Sequence, residues 1–339
     1  MIFTISNGAE RHMDKMRVAV IGVGNLGKHH ARVYTELPDV ELAGVVDVDM
    51  RTAEKVARRL GVSAYTRLGD IPGTLDGVSV AVPTEAHRTV ALEALERGAN
   101  VLIEKPIALD MAEATAIIDC ARQKGLVLQV GHIERFNPAI LALKKILTRV
   151  GFIEVHRLAP YRPQGTEVGV VLDLMIHDID IVLNIVDSPI REISAVGIPV
   201  LSASEDIANA RLSFENGCIA NMTASRISFE TMRKIRIFQS NAYISLDYQN
   251  QEGMIYRTEG SRIVRERMPL EKDEPLKLEI KSFLECVRVS RKPVVPGEQG
   301  RQALRVASEI TRLLQENPLY RESIEERRKA APLDLRKLL

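Results

Sequence analysis

The chain has 339 residues and is 45% hydrophobic, so it can bury the cores of two domains. Its 46 basic and 45 acidic side chains give a formal net charge of +1, and aromatic residues make up 4% of the chain, which argues against nucleic-acid and anionic-membrane partners. No apolar run is long enough to cross a membrane, and three widely spaced cysteines fit a reducing cytoplasm better than a disulfide framework.

Residues 1–15 lack periodicity and are expected to form an N-terminal arm. Over residues 16–136, apolar strands alternate with helical segments, which predicts an α/β fold: a Rossmann domain with a doubly wound parallel sheet. Six strands are predicted, at 18–21, 42–46, 64–65, 78–82, 101–103 and 127–130. Four helices are predicted between them, at 26–37, 52–60, 85–97 and 111–124.

The loop after the first strand has the G-x-G-x-x-G pattern of a dinucleotide site. Its first glycine permits a tight turn, the second lets the backbone approach a pyrophosphate, and the third lets the helix pack on the strand. Asp47 closes the second strand, where a carboxylate can accept the ribose hydroxyls and repel a 2′-phosphate. The sequence therefore predicts NAD in preference to NADP. The cofactor contacts expected here are Gly22, Gly24, Asn25, Leu26, Gly27 and Asp47.

Polar residues follow the fourth and fifth strands, at the sheet edge where ligands bind in such folds. Thr84 can cap the next helix, and Lys105 lies where the nicotinamide end of a cofactor is expected. An ordinary loop lysine paired with Glu104 is the alternative. The further cofactor contacts expected are Pro83, Thr84, His87, Glu104 and Lys105.

Residues 137–318 are expected to form an α+β domain that binds substrate and supports oligomerisation, with a charged tail at 319–339. Helices are predicted at 138–150, 170–186, 276–289 and 300–316. A strand is predicted at 153–158, and alternating patterns at 208–214 and 218–224 flank a turn at 215–217. The sheet is therefore mainly antiparallel and open. One of its faces needs cover from helices or another subunit, which favours a homodimer or homotetramer.

The helix at 170–186 is almost wholly apolar but carries a narrow polar stripe. At 100° per residue, Asp173, His177, Asp180 and Asn184 fall on one side. Such a stripe is typical of a cleft lining. A self-satisfied internal network and a metal pair at Asp173 and His177 are the alternatives, but no further ligands cluster nearby, so no metal is expected.

The segment after the sixth strand presents four polar side chains at the domain junction. Substrate contacts are therefore expected from His132, Glu134, Arg135 and Asn137. The alternative is a hinge held by a salt bridge between Glu134 and Arg135.

Together, the glycine loop, Pro83-Thr84-x-x-His87, Glu104-Lys105-Pro106 and Asp173-x-x-x-His177 resemble the Gfo/Idh/MocA family of NAD(P)-dependent sugar oxidoreductases. The resemblance spans about residues 17–316 and implies that Lys105, Asp173 and His177 are catalytic and that Asp173 and His177 also contact substrate. The segment at 131–139 is similar to that of members that oxidise the 3-hydroxyl of UDP-N-acetylglucosamine to a ketone, which an aminotransferase can convert to an amine.

Oxidation of an alcohol needs a base, and His177 is the candidate because its ordinary pKa lies near neutrality. Asp173 is expected to orient His177, and Lys105 to stabilise the developing alkoxide. A dehydrogenase of inositol, a free sugar or a sugar acid is the first alternative. A non-catalytic NAD(H)-binding redox sensor is an alternative of another class.

Overall fold

The computed structural model describes residues 15–162 and 168–329, so the expected arm lies almost wholly outside the described residues. Within them, the first domain contains six parallel strands. These are β1 Met16–Ile21, β2 Val40–Val46, β3 Ala64–Tyr65, β4 Gly77–Val80, β5 Asn100–Glu104 and β6 Leu128–Gly131. The helices between them are α1 Gly27–Thr35, α2 Met50–Leu60, α3 Thr84–Glu96 and α4 Met111–Lys124.

The strand order 3-2-1-4-5-6 confirms the predicted doubly wound Rossmann sheet. Chain reversal between β3 and β4 places a crevice beyond the carboxyl ends of β1 and β4. The loops that carry Gly22, Thr84 and Lys105 all leave the sheet at this edge.

The second domain is built on a sheet of eight strands within the described residues. They are β7 Val150–Leu158, β8 Ile190–Ile198, β9 Ile207–Phe214, β10 Ile219–Ser225, β11 Met232–Gln239, β12 Ala242–Asp247, β13 Glu252–Glu259 and β14 Arg262–Arg267. The neighbouring strands are antiparallel except for β7 and β10, which confirms the predicted mainly antiparallel α+β domain. The expected hairpin is formed by β9 and β10, with Gly217 at a φ of 88° in its turn.

Helices cover one face of this sheet. They are α5 Pro138–Leu143, α6 Ile176–Ile185 and α8 Gly297–Glu316, and their apolar side chains share a core with the inward residues of the strands. The predicted helix at 138–150 is wrong beyond Leu143, because the chain turns there and enters β7. The predicted helix at 170–186 also differs, since its first turn, Val171–Met175, is π-helical.

The helix that precedes α8 in the chain is α7 Pro275–Arg288. It does not close the second domain as the sequence suggests. Its buried residues Ile280, Phe283 and Leu284 pack into the core formed by β1, β2 and α1. The chain therefore returns to the Rossmann domain before α8 runs back to the second sheet. The predicted second domain, residues 137–318, thus includes one helix that packs on the cofactor domain.

Part of the expected charged tail is a helix, α9 Pro318–Lys329. It docks on the second domain through Tyr320, whose hydroxyl donates to Glu205 Oε2 at 3.2 Å. Residues 330–339 lie outside the described part of the chain. None of the described helices has the length and apolar character that a membrane crossing requires.

Candidate active site

The glycine loop has the geometry that a bound dinucleotide requires. Gly22 adopts a φ of 81°, in the left-handed region that glycine tolerates. A Cβ on Gly27 would lie 1.8 Å from the carbonyl oxygen of Gly22, whereas a Cβ on Gly24 would meet nothing within 4 Å. Gly27 thus permits close packing of α1, and Gly24 leaves open space in front of the helix N-terminus, where a pyrophosphate fits. Asn25 and Leu26 are exposed on the same loop.

Asp47 lies beside this loop at the end of β2. Its Oδ2 accepts from the backbone N–H of Val23 at 3.0 Å, and its Oδ1 accepts from the N–H of Asp49 at 3.1 Å. The two bonds fix the carboxylate next to the glycine turn. Each oxygen keeps a lone pair for a ribose hydroxyl, so the position fits an NAD-type cofactor.

Among the residues after β4, His87 contacts the backbone. The buried ring of His87 lies between the carbonyl oxygens of Pro106 and Val82, at 2.9 and 3.0 Å. A neutral ring can donate to only one of these two oxygens, and its burial between them indicates a role in holding the backbone. The expected cofactor contact of His87 stays a prediction. Thr84 does not cap α3 as expected; it is the first helical residue and follows Pro83, which has no capping side chain. Thr84 instead lines an interdomain cleft of about 650 Å³.

Lys105 joins the two domains. Its Nζ donates to the backbone carbonyl of Asp173 at 2.7 Å and lies 3.6 Å from Asp173 Oδ1. The carbonyl belongs to the π-helical turn before α6, and such turns are frequent at functional sites. Burial lowers the pKa of Lys105, an effect that the charges of Asp173 and Glu104 partly oppose.

His177 lies one turn beyond Asp173, but no hydrogen bond joins the two among the described contacts. Its Nδ1 is buried without a hydrogen-bond partner in the described part of the chain. Its ring instead meets the ring of His132 edge-on, with centroids 6.4 Å apart. The expected orientation of His177 by Asp173 is therefore replaced by packing against His132.

Burial and then the positive charges of Lys105 and Arg157 lower the pKa of His177 well below its usual value. Burial also lowers the pKa of His132. Both rings are therefore neutral near pH 7. A neutral imidazole can accept a proton, so His177 has the protonation state that a general base needs.

The Glu104 carboxylate contacts His30 and the backbone N–H of Lys105. Its Oε1 lies 3.0 Å from Nε2 of His30, whose Nδ1 lies 3.1 Å from Ser79 Oγ, and Tyr34 extends the chain to Ser79 at 2.9 Å. Burial, the largest single effect, disfavours the ionised carboxylate, but the contact with His30, the charge of Lys105 and the backbone N–H of Lys105 together outweigh it and lower the pKa of Glu104. Sequence reasoning missed this network; polar residues on the buried side of α1 are the signal that could have revealed it.

Three of the residues after β6 that were expected to contact substrate are buried, and their side chains bond to other parts of the protein. Arg135 bonds to Asp180 Oδ1 at 3.3 Å and to Gln299 Oε1 at 3.1 Å. Asn137 caps α5 through the N–H of Ala139. Its side chain also donates to the carbonyl oxygen of Tyr248 at 2.8 Å. These contacts conflict with the expected substrate role and favour the hinge, although the partner of Arg135 is Asp180 and not Glu134.

Glu134, the third of these residues, takes part in a buried ionic network that the sequence did not predict. Arg157 binds both oxygens of Asp178 at 3.0 Å, and Tyr248 donates to Asp178 Oδ1 at 2.6 Å. Glu134 Oε1 accepts from Arg157 and from Arg233, each at 3.3 Å. Arg157 lies on the inward face of β7 with Ile153 and Val155, and that alternation is the signal that could have identified a buried arginine.

The predicted polar stripe therefore divides among different partners. Asp173 contacts Lys105, His177 packs on His132, and Asp180 binds Arg135. Asn184 has an unpartnered buried Nδ2 among the described contacts. No group of three His, Cys, Asp or Glu side chains within residues 15–162 and 168–329 is arranged to hold a metal ion.

Two models of known protein families match this chain, one in each domain. Residues 16–132 match the model of an oxidoreductase family with an NAD-binding Rossmann fold, and residues 152–245 match the GFO/IDH/MocA C-terminal domain. The chain belongs to the Gfo/Idh/MocA family of oxidoreductases. It is accordingly a dehydrogenase, with a nicotinamide-dinucleotide fold in its first domain.

Named relatives within the family differ in substrate. The UDP-N-acetylglucosamine 3-dehydrogenase of Acidithiobacillus ferrooxidans is 36% identical over 88% of this chain and 97% of the relative. A solved structure of that enzyme superposes with a TM-score of 0.85 over 89% of this chain and 99% of that chain. The scyllo-inositol 2-dehydrogenase (NAD(+)) of Bacillus subtilis is 28% identical over 83% of this chain and 89% of the relative.

The neutral buried histidines predict that acid destabilises the protein. His87, His132 and His177 each have a pKa lowered chiefly by burial. Below about pH 6.5 the unfolded chain therefore binds more protons than the folded one, and stability falls until pH reaches the lowered folded pKa values. The free energy of unfolding, measured in denaturant between about pH 7.5 and pH 5.5, should decrease.

The variant His132→Gln removes one of these groups. Its unfolding free energy should depend less steeply on pH, by up to about 1.4 kcal/mol per pH unit. An unfolding free energy that is constant across the range in the wild type would contradict the assignment of neutral buried rings.

Proposed function

We propose that the protein oxidises the 3-hydroxyl of UDP-N-acetylglucosamine with NAD. The observation that carries this proposal is the grouping of Lys105 and Asp173 beside a neutral His177 at the carboxyl edge of the Rossmann sheet. The 36% identity to a UDP-N-acetylglucosamine 3-dehydrogenase over nearly the full length supports the choice of substrate.

The side chains divide the chemistry between them. When bound, the nicotinamide supplies the hydride acceptor. His177 takes the hydroxyl proton, and Lys105 stabilises the oxyanion that develops as the proton leaves. Asp173 holds Lys105 at the site.

A second candidate is oxidation of an inositol or a free sugar. The inositol dehydrogenases among the relatives favour it, including the Bacillus subtilis enzyme at 28% identity. A redox sensor without turnover is disfavoured because the lysine, carboxylate and imidazole are all retained. In the cytoplasm, a 3-keto nucleotide sugar would be a substrate for an aminotransferase, which is the functional partner that we propose.

We propose a homodimer or homotetramer formed through the open face of the second sheet. Phe152, Phe238, Tyr243 and Tyr256 form a row of rings across β7, β11, β12 and β13, with successive centroids 5.6, 4.9 and 5.2 Å apart. The helices that cover the other face leave this row without a covering layer in the described chain. A second copy would bury these rings.

The function is tested by the absorbance of NADH. Purified protein is mixed with NAD and UDP-N-acetylglucosamine, with an aminotransferase added to remove the ketone, beside parallel reactions with inositol and N-acetylglucosamine. We expect reduction of NAD with the nucleotide sugar. Reduction with inositol or the free sugar alone would replace the proposed substrate, and reduction with none of them would favour the sensor.

The variant His177→Gln should lower turnover by roughly 100-fold or more, because it removes the proton acceptor. Its affinity for NADH, measured by fluorescence titration, should match that of the wild type. Turnover close to that of the wild type would remove His177 from the role of base.

Asp47 predicts the cofactor preference. The variant Asp47→Asn keeps an acceptor for the N–H of Val23 but loses the negative charge that repels a 2′-phosphate. We expect the ratio of kcat/KM for NAD to that for NADP to fall roughly 10-fold. The variant Asp49→Asn, which changes the neighbouring carboxylate, should have a smaller effect. Equal ratios in the wild type and Asp47→Asn would contradict the assignment.

A further inference from the structure

Arg233 lies at the edge of the second sheet that meets the catalytic groups. In β11 it shares the inward face with Ile235 and Ile237, both of which are buried. In the ladder between β11 and β7 it lies directly opposite Arg157. Arg157 binds Asp178, the residue after His177. The position thus brings a second arginine next to the catalytic helix.

Unlike the other arginines at this junction, Arg233 keeps access to solvent. The side chains of Arg135 and Arg157 are each 4% exposed and engaged with carboxylates, whereas that of Arg233 is 46% exposed. The first two cannot reach an incoming anion without breaking buried ion pairs, which is costly. Any substrate phosphate at this edge would therefore meet Arg233.

Glu134 holds Arg233 in place. Its Oε1 accepts from Nη1 of Arg233 at 3.3 Å and also from Arg157. One edge of the guanidinium is thereby fixed by a buried carboxylate, while the remaining N–H groups can face a ligand. Guanidinium groups fixed in this way bind phosphate oxygens through paired hydrogen bonds.

The charge of Arg233 acts at the catalytic centre. It contributes, after burial and nearer charges, to the lowered pKa of His177. In a sugar whose C3 hydroxyl faces His177, the diphosphate on C1 belongs to the same ring, two carbons away. That diphosphate therefore lies within reach of a long side chain whose charge acts on His177.

We propose that Arg233, positioned by Glu134, binds the diphosphate of the substrate and so selects a nucleotide sugar over a free sugar. The proposal deepens the proposed function and rests on it for the class of substrate. It places the phosphate contact at Arg233 and not at Arg135, which is held by Asp180. Glu134 acts as a positioning residue, which explains a buried carboxylate shared by two arginines.

The test uses Arg233→Gln, the charge-retaining Arg233→Lys, and Arg122→Gln as a matched control. Arg122 is a solvent-exposed arginine on α4 that pairs with Asp119 at 3.0 Å, away from the site. For each protein, KM and kcat are measured with UDP-N-acetylglucosamine. The affinity of the NADH-loaded protein for UDP alone is measured by calorimetry.

We expect Arg233→Gln to raise KM and weaken UDP binding roughly 10- to 100-fold, with kcat changed much less, because charged hydrogen bonds are lost on binding. Arg233→Lys should recover part of the affinity, and Arg122→Gln should match the wild type. A loss confined to kcat, or a KM and UDP affinity equal to those of the wild type, would overturn the proposal.

The two proposals fail in different ways. If the wild type does not oxidise UDP-N-acetylglucosamine but binds UDP in a manner that depends on Arg233, the assigned reaction is wrong and the phosphate site stands. If the wild type oxidises UDP-N-acetylglucosamine and Arg233→Gln behaves like the wild type, the reaction stands and the phosphate site is wrong. Failure of the wild type to bind UDP would also overturn the phosphate site.

Discussion

The contact between Lys105 and Asp173 is the interaction on which the candidate site depends. It links the end of β5 in the cofactor domain to the π-helical turn before α6 in the second domain, with Nζ 2.7 Å from the carbonyl oxygen. A buried lysine is costly unless paired, and Asp173 and Glu104 provide the compensating charge. Through this contact, the cofactor crevice and the helix that carries His177 form one reaction site.

Paired charges around this contact fix the geometry beside the proposed base, His177. Arg157 is held by Asp178 and Glu134, and Arg135 is held by Asp180. Burial, and then the positive charges of Lys105 and Arg157, disfavour a further positive charge on His177. The imidazole therefore remains neutral and able to accept a proton, while Lys105 supplies the cation next to it.

Features encoded by short segments could be predicted from the sequence. The glycine loop, the alternation of strands and helices in the first domain, the hairpin around Gly217 and the position of Lys105 after β5 all follow from local patterns. Contacts between distant segments could not be predicted. His30 and Glu104 are 74 positions apart, and Arg157 and Asp178 are 21 apart. Periodicity shows that such residues are buried, but pairing depends on tertiary packing. The return of α7 to the first domain has the same cause, since an apolar face does not specify which core receives it.

The central claim, oxidation at C3 of a nucleotide sugar, is tested most directly by following the hydrogen that is transferred. UDP-N-acetylglucosamine deuterated at C3 is incubated with the protein, NAD and an aminotransferase, and the reduced cofactor is analysed by mass spectrometry. We predict NADH that carries one deuterium, together with a slower reaction than with unlabelled substrate if hydride transfer limits the rate. Unlabelled NADH formed from the deuterated sugar would show that another position is oxidised and would contradict the account.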